Sequence, residues 1–336
     1  MEGGCLQMSI QVIRAGIMDS LQDKGRFGFQ QLGINPSGAM DLYSMEIANL
    51  LTGNAPDETV IEMHFPAPVL LFRSTALIAL SGADFTAILN DEPIPLHQPV
   101  WVKKDDVLAF RSPRKGARLY MSVAGGFAID QWLGSGSTNL VAAAGGFKGR
   151  TFAAADEIPF RKKWNDIQES KRVLPWKAGL DWGNESDKFS ILLGKEWDWL
   201  TDSSKEQFFN QSYQLSTQSD RMGYRLEHPL LELKYQEELI SSAVNRGTLQ
   251  LLPNGKIILL MADHQTTGGY PRLGHVVSAH QHLLAQYRPG DSIYFRQVNQ
   301  ETAEQWIIRQ QQHLLQLQNA CTFRLQQYFH ENNHQL

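Results

Sequence analysis

From about residue 8 to 160 the hydrophobic positions fall into short β-branched or aliphatic runs parted by Gly, Pro and Asp, the punctuation of an all-β domain. Val69-Leu70-Leu71-Phe72, Leu77-Ile78-Ala79-Leu80, Val107-Leu108-Ala109-Phe110 and Leu119-Tyr120-Met121-Ser122-Val123 are the clearest. One helix interrupts them. Asp41 is placed to cap it, Leu42, Met45 and Ala48 follow at helical spacing, and Gly53 is placed to stop it. Such a helix is expected to plug one end of a barrel.

The polar stretch from Arg161 to Lys177, edged by Pro159 and Pro175, reads as a linker. Strands then resume with Ile191-Leu192-Leu193, Leu249-Gln250-Leu251-Leu252 and Ile257-Ile258-Leu259-Leu260-Met261, the last two joined by the turn Pro253-Asn254-Gly255-Lys256. Glu232 to Val244 is predicted as a second short helix. From Glu301 the chain becomes rich in Gln, and Ile307, Leu314, Leu317, Cys321, Leu325 and Tyr328 recur at helical spacing. This amphipathic tail packs either on its own domain or on a partner. The expected organisation is a β domain over 8–160, a linker over 161–177, a second β domain over 178–300 and a helical tail over 301–336. An Asp, one residue, an aliphatic, one residue and Phe recur at Asp106–Phe110, Asp156–Phe160 and Asp291–Phe295, which reads as a turn entering a strand with alternate buried side chains.

With 336 residues, 42% hydrophobic and 20% charged, the chain can build two cores of ordinary size. Its net charge of -4, from 31 basic and 35 acidic residues spread along the chain, offers no basic field for nucleic acid. No apolar run approaches the roughly 20 residues that span a bilayer, and Met1-Glu2-Gly3-Gly4 lacks the features of a signal peptide. A cytoplasmic protein is expected. Cys5 and Cys321, far apart in sequence, fit a reducing compartment and cannot build a Cys-rich zinc site.

The densest candidate chemistry is Asp263-His264-Gln265-Thr266-Thr267-Gly268-Gly269-Tyr270-Pro271, directly after a strand. Gln265 both donates and accepts, Thr266 and Thr267 supply hydroxyls, and Gly268-Gly269 allow backbone N–H groups close to an anion or carbonyl. His264, beside Asp263, is a candidate general acid or base. The same residues also read as a glycine turn whose hydroxyls cap their own backbone.

In Ser219-Asp220-Arg221-Met222-Gly223-Tyr224-Arg225-Leu226, Arg221 could clamp a carboxylate or phosphate with Asp220 orienting it, or form a structural ion pair. Asn35-Pro36-Ser37-Gly38-Ala39-Met40-Asp41 leads into the first helix, as an anion site at its N-terminus or as a capping loop only. Glycines at Gly125-Gly126 and Gly145-Gly146 imply close approach of a neighbouring strand. His264, His275, His280 and His282 cluster in sequence without His-Glu-x-x-His spacing, so no metal is assigned. There is no phosphate-binding Gly-x-x-x-x-Gly-Lys loop, dinucleotide fingerprint or Gly-x-Ser-x-Gly elbow, so any ATP site is unconventional or shared with another chain.

The segment Asp263–Pro271 is similar to the most characteristic motif of the biotin-dependent carboxyltransferase family, which includes the C component of 5-oxoprolinase and the second component of allophanate hydrolase. Gln22-Asp23-Lys24-Gly25-Arg26, Pro36–Asp41, Ser81-Gly82-Ala83-Asp84 and Ser219–Leu226 agree in order, over about residues 9 to 298. The resemblance implies two cyclophilin-like β-barrel domains. It also implies a B-like partner protein of related fold and, in 5-oxoprolinase, an A-like hydrolase that together open 5-oxo-L-proline to L-glutamate using ATP shared with the partner. In fused urea carboxylases the similar domain moves a carboxyl group from biotin to urea. The chain carries no biotin-attachment Met-Lys-Met, which favours the oxoprolinase component. On that reading Gln265 and Thr266 face the amide and Arg221 the substrate carboxylate, with Thr267, Gly268, Gly269, Tyr270, Asp220, Tyr224, Asn35, Ser37 and Gly38 around them. Some family members are regulatory antagonists of a kinase inhibitor, a non-enzymatic alternative. Gly136, where relatives often carry a basic residue, and Arg272-Leu273-Gly274-His275, in place of a more apolar continuation, depart from the pattern.

Overall fold

The computed structural model describes residues 8–164, 172–179, 187–235 and 237–331. The chain divides into two compact units, one made of Met1–Gly25, Asp41–Leu180 and Gln312–Leu336, the other of Arg26–Met40 and Asp181–Gln311. The sequence reading assigns 26–40 to the first module and keeps the tail apart. In the structure the short segment counts with the second unit and the end of the tail with the first. The reason for the first exchange lies in the hydrogen bonds of the site described below.

The first unit contains strands β1 (Ser9–Arg14), β2 (Ser20–Gln22), β3 (Val60–Met63), β4 (Val69–Phe72), β5 (Ala76–Asp84), β6 (Ala87–Leu89), β7 (Glu92–Pro93), β8 (Pro99–Val102), β9 (Val107–Phe110), β10 (Lys115–Val123) and β11 (Glu157–Pro159), with helix α1 (Leu42–Thr52). They form a six-stranded sheet in the order β11-β1-β4-β9-β6-β7 and a five-stranded sheet in the order β2-β3-β10-β5-β8. The two-residue period of β5 explains the layering. Ala76, Ile78 and Leu80 enter the core that the two sheets share, while Ala79 packs with α1 and Leu77 with Trp101 and Trp164. The helix predicted as a barrel plug therefore covers the outer face of a sheet.

Its ends are as read from sequence. Asp41 accepts from the Ser44 N–H at 2.8 Å, and Gly53 closes the helix in the left-handed conformation. The same outer face receives the end of the tail helix, α4 (Gln300–Glu331): Cys321, Leu325 and Phe329 are buried, and Phe329 stacks on Trp164 at 5.2 Å. Asp23 holds the loop at Ser135–Ser137 by accepting from the Ser135 and Ser137 hydroxyls and the Gly136 N–H, at 2.5–2.7 Å. A Cβ on Gly136 would stand 2.2 Å from Thr59 Oγ1, so packing requires glycine there. Gly125 and Gly126 lie against Lys162 and Arg161 in the same way.

The second unit contains β12 (Lys188–Leu193), α2 (Asp202–Asn210), β13 (Tyr213–Leu215), β14 (Gly223–Glu227), β15 (Ser242–Ala243), β16 (Thr248–Leu251), β17 (Ile257–Leu260), β18 (Thr267–Gly268), β19 (Arg272–Val276), α3 (Ser278–Leu284) and β20 (Ser292–Gln297). Seven of these strands close a barrel in the order β12-β19-β16-β17-β14-β13-β20, and β15 pairs with β18 as a separate ribbon. Tyr224, Leu226, Leu249, Leu251, Ile293 and Phe295 fill the barrel, and Phe208 of α2 stacks on Phe295 at 5.4 Å. The hairpin at Pro253–Lys256 forms, with Gly255 at φ +75.

The helix predicted over Glu232–Val244 does not form in its described residues. Leu233 makes an isolated bridge to Leu200, and Ser242–Ala243 pairs with Thr267–Gly268. A strand partner thus overrides the helical propensity of the Leu and Glu residues.

Candidate functional site

Beyond β17 and β14 the ladder continues for one more step: Met261 N–H donates to Met222 O at 3.0 Å and Asp263 N–H to Arg221 O at 2.8 Å. This places Arg221 and Asp263 opposite each other. The Arg221 guanidinium meets the Asp263 carboxylate through Nε–Oδ2 at 2.8 Å and Nη2–Oδ1 at 3.2 Å, both side chains almost wholly buried. Ser37 Oγ donates to Asp263 Oδ1 at 2.7 Å, Arg221 Nη2 to Gly38 O at 2.6 Å, and Asn35 Nδ2 to Asp263 O at 2.8 Å. Arg246 adds donations to Ala39 O, at 3.1 Å, and to Met40 O. Left-handed backbone at Ser37 (φ 57) and Gly38 (φ 95) lets this segment bend. Three segments far apart in sequence are thereby pinned on one buried ion pair, which is why residues 26–40 belong to this unit.

The geometry corrects three sequence expectations. Arg221 is committed to Asp263 and Gly38, so its guanidinium works as a scaffold here and not as an open clamp. Asp220 does not orient Arg221. It accepts from the N–H groups of Met222 (2.8 Å) and Gly223 (3.1 Å), making the turn into β14. Tyr224 points into the barrel core with Leu226, because alternate residues of β14 face inward.

His264 is 5% exposed and its Nδ1 lies 2.6 Å from Gln265 O. A carbonyl only accepts, so Nδ1 carries the proton and Nε2 presents a lone pair. Burial, helped by the nearby Arg246 charge, lowers its pKa below the ordinary 6.5. The ring is therefore neutral at pH 7. His275 is similarly lowered, by burial and by His264, and sits between Thr248 Oγ1 at 3.4 Å and the Gln281 amide at 3.5 Å.

The other clustered histidines have separate partners. His280 accepts from Ser190 N–H and stacks on Trp306, and His282 meets the Gln310 amide. Among the described residues no three His, Cys, Asp or Glu side chains come together in a metal-holding group.

Gln265 and Thr267 are exposed along the loop, as is Tyr270 at 44%, and Thr266 is half-buried. Thr266 O accepts from Val244 N–H at 3.2 Å, and Thr267–Gly268 is strand β18. The glycines serve close packing: a Cβ on Gly268 would stand 2.5 Å from Gln250 Nε2, and one on Gly269 3.1 Å from Leu239 O. Arg272 pairs with the buried Glu196 at 2.8 Å and donates to Ser242 Oγ at 3.0 Å. Sequence reasoning missed Arg246, Thr248, Gln250 and Gln281. The available signal was the polar alternation of Thr248 and Gln250 within an apolar strand.

The model of the "Carboxyltransferase domain, subdomain A and B" family matches residues 32–297. The chain is 36% identical over 294 residues to the C subunit of 5-oxoprolinase from Escherichia coli, covering 88% of this chain and 93% of that one. It is 34% identical over 284 residues to the protein of the same name from Haemophilus influenzae, covering 84% and 89%. The crystal structure of the K. lactis urea amidolyase superposes with a TM-score of 0.85 at 26% identity, covering 93% of this chain but 20% of that one. With the match running over residues 32–297 and so through both units, the chain belongs to the carboxyltransferase-domain family, subdomains A and B.

Proposed function

We propose that this chain is the C subunit of an ATP-dependent 5-oxoprolinase, acting with B-like and A-like subunits to convert 5-oxo-L-proline to L-glutamate. The observation that carries this reading is the identity of 36% to a protein named for that role, over nearly the full length of both chains. The site suits a small cyclic amide. An amide offers one carbonyl acceptor and one N–H donor, and the loop Asp263–Pro271 presents groups of both kinds at Gln265 and Thr266. His264, neutral and with Nε2 unprotonated, is the residue to accept a proton as the amide is attacked or activated. Arg221, Asp263, Ser37 and Asn35 hold that loop in place. Since Arg221 is occupied, the substrate carboxylate is met by another group, from this chain or from the B-like partner, and ATP is bound jointly with that partner.

Carboxyl transfer from biotin to urea or another amide is the second reading, favoured by the TM-score of 0.85 to the urea amidolyase. The two separate by assay. The chain is co-purified with a B-like protein, an A-like protein is added, and ATP-dependent glutamate formation from 5-oxoproline is measured. Glutamate production supports the proposal; none, with all three proteins folded, overturns it.

A further inference from the structure

Strand β16 sends Leu249 and Leu251 into the barrel and leaves Thr248 and Gln250 on its other face. Thr248 is matched by His275. Gln250 is only 4% exposed, yet its Nε2 has no hydrogen-bond acceptor among the described residues. A buried donor left without a partner is rare in native proteins and lowers stability.

Two features aim this amide at the loop Asp263–Pro271. The pairing of β16 with β19 slips at this point, so that Leu249 faces Gly274 while Gln250 faces Arg272, and such bulges redirect side chains. Gly268 lies over the amide with 2.5 Å between Nε2 and the place a Cβ would take. The backbone at Gly268 is not left-handed, so glycine serves there to let the ribbon lie close against the amide and not to make a turn. The cover is slight: the β15–β18 ribbon has two residue pairs, Ser242 with Gly268 and Ala243 with Thr267, and Ile240 next to it is 93% exposed.

We propose that Gln250 is a substrate-binding residue, uncovered when the β15–β18 ribbon lifts, whose Nε2–H donates to the carbonyl oxygen of the amide substrate. The assignment rests on the functional reading above. Gln250 then supplies a second donor to the carbonyl oxygen, which can accept two, beside the loop groups at Gln265 and Thr266.

The test uses the full three-protein complex with Gln250→Leu, Gln250→Glu and Gly268→Ala in this chain, and thermal melting of each variant chain. Gln250→Leu should raise the KM for 5-oxoproline about tenfold or more while leaving the melting temperature unchanged or higher, because an unmatched donor is removed. Gln250→Glu, which turns a donor into an acceptor, should lose more. Gly268→Ala, whose methyl group would clash with the amide under the closed ribbon, should favour the lifted ribbon and lower KM. An unchanged KM in Gln250→Leu overturns the inference. A lowered melting temperature or failure to fold in that variant also overturns it, since the amide would then have a structural partner. A wild-type complex that makes no glutamate, with its chains folded, overturns the functional reading instead.

Discussion

Arg221 and Asp263 are buried together, each the other's counter-charge. Arg221→Ala is expected to destabilise the chain by about 3–5 kcal/mol, because a buried carboxylate loses its counter-charge. The double variant Arg221→Met with Asp263→Leu should lose less than the sum of the two single changes. Denaturant titration of all four proteins measures this, and additive losses would show that the pair is not coupled.

Asp19 makes a second residue-scale case. Its Oδ2 accepts from Gly16 N–H at 2.7 Å, but burial outweighs that bond and pushes its pKa up to about 7. The folded state therefore favours the protonated acid. Stability present below the unfolded value of 3.8 is lost as pH rises toward 7. Asp19→Asn should gain up to roughly 4 kcal/mol at pH 8 and nothing at pH 3.5, measured as melting temperature. Equal gains at both pH values would contradict the assignment. The motif at Asp263 was legible in sequence, while the role of Asp220 was not. A short side chain beside a turn has the choice of its own backbone, and here local N–H groups won over the neighbouring guanidinium.

At the scale of elements, the recurring Asp-x-aliphatic-x-Phe pattern resolves into one device used three times. Asp106, Asp156 and Asp291 each accept at 2.7 Å from the N–H three residues earlier, those of Lys103, Ala153 and Arg288. Leu108, Ile158 and Ile293 then enter the cores, followed by Phe110, Phe160 and Phe295. Removing the exposed Asp291 carboxylate by Asp291→Ala should cost about 1 kcal/mol. Asp156→Ala should cost more, because it also frees Arg150, held through both carboxylate oxygens. Urea midpoints would decide between this ordering and its reverse. Alternation and turn residues made the strands, hairpin and α1 caps readable. Residues 232–244 misled because β18, the strand that captures Ser242–Ala243, lies downstream and bears on no helical period within the window.

For the whole molecule, buried titratable groups pull the acid side of the stability curve in opposite directions. His97 and His280 are pushed down to about 4, in each case chiefly by burial. They stay neutral in the fold while the unfolded chain takes up protons near 6.5, so the stability they confer is complete above pH 6.5 and declines as pH falls toward 4. Each accounts for roughly 3 kcal/mol across that window. Asp19 and Glu46, both raised to about 7, slope the other way over the same range. His97→Gln should remove its share of the stability lost between pH 7 and 4, so that the variant melts relatively higher toward acid than the wild type does; an unchanged slope would remove His97 from the account.

The pinning of Ser37 to Asp263 has a consequence in time. The two residues are 226 positions apart, and at a synthesis rate of about 5–20 residues per second Ser37 waits on the order of 10–45 s for its partner to be made. During that interval the segment 26–40 has left the ribosome without the ion pair that will hold it. Closing so long a loop also places this contact among the slow steps of folding. An early stretch of the chain is thus committed to a unit whose barrel is not yet synthesised, and chaperone capture of the nascent protein should be greatest in that window.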